Sequence, residues 1–551
     1  MACSKFFSGD LPELLNEVIQ YFHYDYKTLH SCILVNRLWC RLAIPLLWED
    51  PFSIKSPKNY RFIEIYLSNF SNDDKTKLNE YVIHNDVFPS NTLFNYPKFI
   101  QHLDTYKVCN TIGKWITSIS ITSGQHSNYS MRNINLSVSQ MLNFTNLIFK
   151  SFFLIFIKNE VNLHSFGITI DSYKETECFD TTFELILQNT NFFYNIKNFT
   201  LDLIEITDNI TKFLEFLCSN CNSISSFHFL LPIKNNSHPI IEKILSQMIK
   251  LQENLKKITF GYDYSTPLSL LLSLKNPNCS NTLNTIIFYS IDFRNINILS
   301  ELFNHLNVLE SIHIVYCYSL DSKFIRQINN VTKPFKLKSL ILNHIDELLD
   351  PLIQKSGNYL ENFRIPKFGL QQLLQPIKLY CSNIKFLSIQ LHYKNINLIF
   401  DLIKNIKQNL DYLIIDSSII FQVFGNIKFN STVLQNLGQI LPLKLEYLNL
   451  IINESDLEIF LKNSQNTYIK KLAIRNAKDD GSQDILPYIK EYIMKKKRVK
   501  YLAISGIFHE KSVDLFSLKD EVKEFQLYDI QVLNYNDSVI DVYDFIIKET
   551  Y

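Results

Sequence analysis

Glycine is scarce in this sequence, which contains only 11 glycines among 551 residues. None of them forms a Gly-x-Gly-x-x-Gly segment or a Gly-Lys-Ser/Thr loop, so the usual backbone cradle for a nucleotide phosphate is missing. The sequence also lacks a His-Glu-x-x-His pair and a Gly-x-Ser-x-Gly elbow, which are signatures of zinc proteases and of many serine hydrolases. We therefore expect a protein that is not an enzyme, with no catalytic residue and no cofactor.

Neither sign of charge is in excess. Lys and Arg number 55 and Asp and Glu number 54, which leaves a net charge of +1 and no overall field to attract nucleic acid or an anionic membrane. The longest apolar run, 147–157, has about half the ~20 residues that a membrane span needs and contains Lys150, so we expect a buried strand there. Because polar residues interrupt the N-terminus at once, we expect no signal peptide and a cytosolic or nuclear protein.

The ten cysteines are dispersed, and in a reducing compartment they predict no disulfide framework. Cys218 and Cys221 form one Cys-x-x-Cys pair, which alone has too few ligands for a structural zinc ion, so we predict no metal site. The basic run 495–498 suits either a nuclear-import or acidic-partner patch, or the C-terminal end of a helix near Met494, where the helix dipole is negative. We favour the second interpretation.

The N-terminal region contains two amphipathic segments. Pro12 suits the first turn of a helix, because its missing N–H would have no partner there. Apolar residues then recur at spacings of three and four and give one apolar face: Leu11, Leu15, Val18, Ile19 and Phe22. A polar break at 23–28 precedes a second apolar set in 29–42, and we expect Pro45 to end that helix. Some 40 residues of short helices bury little surface, so we expect part of the apolar face to meet another protein.

The order and spacing of these residues resemble the F-box. The resemblance opens at Leu11-Pro12 and closes with Trp39 followed by Leu47-Trp48, and it departs from the family at Asn36, where many members have Cys. It covers residues 8–52 and implies a trihelical unit that binds a Skp-type adaptor and, through it, a cullin scaffold. Carried over by position, the candidates for adaptor contact, or for holding the contacting helices, are Leu11, Pro12, Leu15, Ile19, Val35 and Trp39.

A six-residue pattern, apolar-x-x-apolar-x-apolar, recurs through the rest of the sequence. Its copies begin at residues 163, 196, 224, 255, 283, 309, 337, 360, 384, 410, 445, 469, 499 and 522, with two further copies at 116 and 144. The mean period of roughly 28 residues resembles the longer leucine-rich repeat, although the usual Asn or Cys after the motif is mostly missing. Amphipathic segments such as 240–251 and 401–408 predict outer helices between the strands. Cys221 and Cys381 each lie three residues before a copy, which favours buried thiols.

The last three positions of the motif alternate, so the fourth and sixth residues share one face of a short strand and the residues between them face the other way. We expect a protein substrate to contact that other face, at the fifth motif position and the residue after the motif. On this basis the candidate substrate-binding residues are Tyr289, His313, Ser339, Arg364 and Asn449.

The sequence as a whole predicts an α/β protein with three parts. These are an F-box-like module (8–52), a helical connector that caps the solenoid (53–113), and a leucine-rich-repeat solenoid with a parallel sheet and outer helices (114–551). The function that this arrangement implies is substrate recognition in a cullin-RING ubiquitin ligase. Two alternatives remain open: a binding scaffold whose N-terminal helices only cap the repeats, and an enzyme without a recognisable motif. The substrate itself is not encoded in any motif.

Overall fold

A computed structural model of the chain describes residues 12–23, 25–54, 57, 59–70, 76, 92–122, 137–231, 238–261, 268–344, 349–365, 370–390, 396–416, 427–452, 457–476, 484–508 and 511–550. The chain divides into two compact units. The first comprises residues 1–259 with 269–282, and the second comprises 260–268 with 283–551. Within each unit, parallel strands alternate with helices along the chain, which is the α/β repeat arrangement that the sequence predicts.

The first unit begins with three short helices, α1 (Pro12–Gln20), α2 (Tyr26–Cys32) and α3 (Arg37–Trp48). Asp25 caps α2, because its carboxylate accepts a hydrogen bond from the backbone N–H of Thr28 at 3.1 Å. Asn36 caps α3 in the same way, accepting from the N–H of Trp39 at 3.0 Å. The three helices share one apolar core, formed by Leu15, Ile19, Leu29, Cys32, Trp39, Ala43 and Leu46.

Two boundaries in this region differ from the prediction. The second apolar set is divided between α2 and α3, because Asn36 starts a new helix in the middle of it. The expectation that Pro45 ends the helix is wrong, since α3 continues through Pro45 to Trp48. A proline inside a helix removes one backbone hydrogen bond. Burial of Leu46 in the three-helix core, one residue after the proline, favours continuation.

The remaining elements of the first unit follow in sequence. They are α4 (Phe62–Leu67), β1 (His102–Asp104), α5 (Thr105–Thr122), α6 (Val138–Lys158), β2 (Ser165–Ile170), α7 (Tyr173–Gln188), β3 (Asn198–Leu203), α8 (Asp208–Asn220), β4 (Ser226–Leu230), α9 (His238–Leu251), β5 (Lys257–Gly261), α10 (Leu268–Ser273) and α11 (Pro277–Thr282). Strands β1 to β4 pair in parallel and in chain order, with Phe166, Phe199 and Phe227 in register. The division between the two units falls within β5.

Three expectations for the first unit are wrong. The copies of the pattern at 116 and 144 lie in α5 and α6 rather than in strands, and the apolar run 147–157 belongs to α6 as well. A spacing of three residues fits a helix as well as a strand, and Ser137 with Gln140 forms a capping box that starts α6. The sheet begins at β1, inside the range 53–113 that the sequence assigns to the connector.

Helix α6 is the one helix among the described residues that is long and apolar enough to cross a membrane. More than half of its most apolar window is buried inside the protein. Phe152 illustrates this burial, because its ring lies within 6 Å of the rings of Phe52, Tyr66 and Phe156. A helix that is apolar on all sides is expected when it fills the core of a large unit. We therefore interpret α6 as a core helix.

The second unit continues the alternation. Its elements are β6 (Thr285–Tyr289), α12 (Leu299–His305), β7 (Ser311–Val315), α13 (Ser322–Asn329), β8 (Leu337–Ile341), α14 (Asp350–Ser356), β9 (Asn362–Ile365), α15 (Leu370–Tyr380), β10 (Phe386–Gln390), α16 (Ile396–Ile406), β11 (Tyr412–Asp416), α17 (Ile427–Ile440), β12 (Lys444–Ile452), α18 (Leu457–Asn463), β13 (Tyr468–Asn476), α19 (Leu486–Ile489), β14 (Val499–Phe508), β15 (Lys511–Asp514), α20 (Lys519–Leu527), β16 (Gln531–Val532), α21 (Tyr535–Ser538) and α22 (Val542–Glu549). Strands β6 to β14 pair in parallel and in chain order.

Where the structure describes the side chains, the apolar ladder is confirmed in the copies from 163 to 499, with Leu309 half-buried. In the copy at 337, for example, Leu337, Leu340 and Leu342 are all fully buried. The last copy, at 522, is wrong, because those residues lie in α20, where acidic residues in the first turn favour a helix. The edge of β14 is instead covered by β15, which is antiparallel to it, and by the short parallel strand β16.

The buried cysteines follow the repeat, as predicted. Cys221 and Cys381 each come directly after an outer helix, α8 and α15, and both thiols are buried. Burial raises the pKa of each thiol to about 12. The thiol of Cys221 donates a hydrogen bond to the carbonyl of Phe193 at 3.1 Å. Among the described residues, no group of three His, Cys, Asp or Glu side chains is placed to hold a metal ion.

The basic run 495–498 does not form one exposed patch. Arg498 is buried, and its guanidinium donates hydrogen bonds to the carbonyl and hydroxyl oxygens of Ser464. Lys495 pairs with Glu491, one helical turn earlier, at 2.6 Å. The helical segment ends at Met494, so these cations follow a helix C-terminus, as the favoured interpretation predicts.

Candidate protein-interaction surfaces

The module α1–α3 exposes an apolar surface, which we call the module face. Leu14 and Val18 stand four residues apart on one side of α1, and Tyr21 follows three residues later, in the turn directly after the helix. Leu34 and Val35, in the turn between α2 and α3, are 76% and 54% exposed. These five side chains lie within 22 residues of sequence, a high local density of exposed apolar groups.

The six residues that the F-box resemblance selects fall into two groups in the structure. Leu15, Ile19 and Trp39 are buried in the three-helix core, so they hold the helices together and are not themselves exposed. Pro12 and Val35 are exposed beside the residues of the module face. Leu11 lies outside the described residues. The exposed residues Leu14, Tyr21 and Leu34 are not among the predicted ones, because their exposure follows from the positions of the helices.

The end of α3 is joined directly to the first repeat. The ring of Trp48 packs against Tyr66, with centroids 5.4 Å apart, and against Tyr96 at 4.2 Å. The carbonyl oxygen of Glu49 accepts hydrogen bonds from the backbone N–H groups of Gln101 and His102, at 2.9 and 3.2 Å. Since His102 is the first residue of β1, these contacts fix α3 against the edge of the sheet in the first unit.

A buried carboxyl group lies at this junction. Burial, with a smaller contribution from the charge of Asp50, raises the pKa of Glu49 to about 7. The Glu49 carboxyl contacts the imidazole of His23, whose pKa burial lowers. A charged pair would instead lower the pKa of Glu49 and raise the pKa of His23. The full burial of Glu49 and the partial burial of His23 therefore favour an uncharged carboxyl group below about pH 7.

Glu49→Gln is expected to raise the melting temperature at alkaline pH. A carboxyl group with a folded pKa of about 7 contributes stability that is complete below its ordinary value of 4.5 and is lost as the pH rises through 7. Glutamine keeps the size and cannot ionise, so we expect the variant to melt roughly 2–4 °C above the wild type at pH 8, the shift that about 1 kcal/mol produces in a domain of ~200 residues. The difference should disappear at pH 4.5, measured by circular dichroism. If the variant melts lower at pH 8, a charged pair with His23 determines the stability instead.

The second candidate surface is the inner face of the second unit. We define it by two rows of side chains that are in register across β6 to β14 and lie between the buried ladder positions. The first row is Ile287, His313, Ser339, Asn362, Phe386, Tyr412, Tyr447, Lys471 and Tyr501, and the second is Tyr289, Val315, Ile341, Arg364, Ser388, Ile414, Asn449, Ala473 and Ala503. All five predicted substrate-binding residues belong to these rows. Ser339 occupies the third position of its motif, which shares this face with the fifth.

The chain covers this inner face with its own C-terminal residues 533–549, which we call the strap. Its first half is held by hydrogen bonds. The hydroxyl of Tyr535 donates to the side-chain oxygen of Asn449 at 3.3 Å, and the backbone N–H of Tyr535 donates to the carboxylate of Asp514 at 2.7 Å. The hydroxyl of Tyr447 donates to the carbonyl of Ser538 at 3.3 Å and accepts from the N–H of Ile540 at 3.4 Å.

The second half of the strap is the helix α22, which packs on the apolar part of the inner face. Val542 and Ile546 are buried in a cluster with Ile287, Val315, Ile341 and Phe386. The ring of Tyr543 stacks on Tyr289 with centroids 3.8 Å apart, and the ring of Phe545 lies 4.8 Å from both Phe386 and Tyr412. Burying one such side chain stabilises the docked helix by about 1.5–3 kcal/mol before the cost of ordering the strap.

The predicted substrate-binding residues therefore contact other parts of this chain. Tyr289 and Asn449 meet the strap directly, through Tyr543 and Tyr535. His313 and Ser339 are buried and share a hydrogen bond of 2.7 Å between Nδ1 and the hydroxyl oxygen. The guanidinium of Arg364 donates to the hydroxyl of Tyr316 at 2.8 Å. Their contact with a substrate stays a prediction, and it requires that the strap leave the inner face.

Comparisons with known proteins add little to this description of the two surfaces. No protein-family model matches the chain. No curated protein matches it either. A crystal structure of the yeast Rad7 and Elc1 complex matches with a TM-score of 0.38 and 13% sequence identity, covering 74% of this chain and 91% of that chain. A similarity this distant does not indicate a function.

Proposed function

We propose that this protein is the substrate-recognition subunit of an SCF-type ubiquitin ligase. The N-terminal module binds a Skp-type adaptor, the adaptor binds a cullin scaffold, and the repeats bind a protein substrate. The chain itself catalyses no step. Its contribution is proximity, because tethering raises the concentration of substrate lysines near the ubiquitin-loaded enzyme that the scaffold carries.

One observation carries this proposal: the module face is separate from the core that holds the module together. Leu15, Ile19 and Trp39 are buried, so the module does not need the module face for its own packing. Leu34 and Val35 stay exposed, although a soluble protein normally limits such groups of apolar side chains. An apolar surface on short helices that resemble the F-box is what adaptor binding requires.

The junction at α3 supports the same function. The contacts of Trp48 with Tyr66 and Tyr96 hold the module against the first repeat of its own unit. A flexible connection would let the adaptor and the repeats move independently and would lower the effective concentration that tethering provides. The packed junction prevents such independent motion of the module and the first repeat within the first unit.

Reconstitution tests the proposal. Purified full-length protein is mixed with a Skp-type adaptor bound to the N-terminal domain of a cullin, and the mixture is separated by size-exclusion chromatography. We expect one complex that contains all three proteins. Separate elution at micromolar concentrations, with the circular dichroism of the full-length protein intact, contradicts the proposal.

The alternative function is a non-catalytic binding scaffold outside any ubiquitin ligase. The packing of α3 against β1 is the observation that favours it, because a terminal cap of a repeat array makes such contacts. This alternative predicts that the full-length protein fails to join the adaptor and cullin. An enzymatic function is a third possibility, and turnover of a substrate by the purified chain without adaptor and cullin would establish it.

A further inference from the structure

The strap divides into two halves that are held differently. Hydrogen bonds anchor the first half: Tyr535 donates to Asn449 and Asp514, the carbonyl of Ser538 accepts from Tyr447, and the N–H of Ile540 donates to Tyr447. The second half, α22, packs on the inner face through ring and aliphatic contacts, which are less directional than hydrogen bonds. The anchor ends at Ile540 and α22 begins at Val542, so a change in the backbone angles of Asp541 would swing α22 away while the anchor stays in place.

Helix α22 is amphipathic, as is typical of a peptide ligand that binds in a groove. One side presents Val542, Tyr543, Phe545 and Ile546 to the inner face, whereas Asp544, Lys548 and Glu549 are exposed on the other side. An amphipathic helix that lays its apolar side on an apolar surface is a recurrent mode of peptide recognition. Without α22 the inner face would expose an apolar surface, because Ile287, Val315 and Ile341 lie on the successive strands β6, β7 and β8, and Phe386 lies two strands further on, in β10.

We propose that α22 is an internal ligand that autoinhibits the inner face of the second unit, and that the external partner of this face is an amphipathic helix of similar chemistry. The partner presents aromatic and aliphatic side chains at spacings of three and four, and it binds after α22 has left. This inference rests on the proposed function at one point: the partner helix is taken to belong to the ligase substrate. Adaptor binding, measured in the same samples, reports separately on the proposed function.

The test uses a fluorescently labelled synthetic peptide of residues 533–551 as the probe and fluorescence anisotropy as the readout. In the wild-type protein the tethered α22 competes at an effective concentration in the millimolar range, so the peptide binds weakly. Val542→Asp with Ile546→Asp in the full-length protein releases α22 and should tighten peptide binding at least about 10-fold. Lys548→Gln, an exposed change on the same helix, should leave peptide binding as in the wild type. A peptide with the same two substitutions, Val542→Asp and Ile546→Asp, should not bind the full-length double variant, which we call the released variant.

Equal peptide binding by the wild type and the released variant, with both folded by circular dichroism, overturns the proposal. Hydrogen exchange on the wild-type protein provides a second measurement that needs no substitution. We expect the amides of α22 to exchange at least about 10-fold faster than those of β11 and β12, through local opening of the strap. If α22 exchanges only together with these strands, α22 is a permanent part of the unit and the proposal is wrong, whether or not the released variant folds.

Discussion

Leu34→Asp with Val35→Asp is expected to weaken binding to a Skp-type adaptor at least about 100-fold, or about 2.7 kcal/mol, in a calorimetric titration of the full-length protein. Both side chains are exposed in the turn between α2 and α3, where they are free to enter a pocket of a partner. Apolar anchors at the centre of an interface commonly contribute 2 kcal/mol or more each, and a buried carboxylate without a partner adds a penalty.

The control for this prediction is a matched exposed leucine. Leu443 is 78% exposed and belongs to the second unit, so Leu443→Asp makes the same chemical change outside the module. We expect it to leave adaptor binding unchanged. Because substitutions at exposed positions usually change stability by less than about 0.5 kcal/mol, both variants should keep the wild-type melting temperature. Undiminished adaptor binding by the double variant would show that the module face is not the adaptor site.

Phe152→Ala is expected to destabilise the first unit by about 3–5 kcal/mol, the usual cost of removing a fully buried phenylalanine ring. Phe152 lies in α6, next to Phe156 of the same helix, and packs against Phe52 and Tyr66 in the region after α3. The ring therefore supports both the core of the first unit and the position of the module. Urea unfolding followed by tryptophan fluorescence measures the effect, since the three tryptophans, Trp39, Trp48 and Trp115, all lie in this unit.

Leu154→Ala is the matched control for the core prediction. Leu154 lies two residues from Phe152 on the same helix, but its side chain is 39% exposed. We expect its replacement to cost less than about 1 kcal/mol. If the two variants unfold at the same urea concentration, α6 is not packed as the structure has it, and its interpretation as a core helix is wrong.

The repeat ladder was predictable from the sequence because burial selects residue type at fixed positions. Leu337, Leu340 and Leu342 show the rule, since an apolar residue at each ladder position is required whatever the repeat binds. The helices α5 and α6 were not predictable from the same pattern. Six residues with a spacing of three fit either a strand or a helix, and the capping box at Ser137 favours a helix only for α6.

The strap was missed for a different reason. The sequence predicts an open inner face with polar or aromatic residues as substrate contacts, including Tyr289 and Asn449. Yet the same rows contain Ile287, Val315 and Ile341, and apolar side chains on neighbouring strands of an open face would be exposed to water. Apolar residues at these inner positions were a signal that something covers the face. Which segment covers it depends on the path of the chain after β16, and no local pattern encodes that path.

The candidate adaptor-binding residues show that residue type alone does not predict which side chains are exposed. The F-box resemblance selects positions by residue type, and it combined residues of the core, such as Leu15 and Trp39, with an exposed one, Val35. Residue type alone does not separate these roles, because a leucine or valine serves both. The orientation of each helix decides the role, and that orientation follows from the packing of all three helices together.

Hydrogen exchange of the full-length protein with and without a purified Skp-type adaptor tests the central claim most directly. We expect the adaptor to slow exchange in α1 and in the turn between α2 and α3, and to leave exchange in the strands of the second unit unchanged. Protection of the repeats alone, or no protection at saturating adaptor, would contradict the claim that the N-terminal module is the adaptor-binding end of a ubiquitin-ligase receptor.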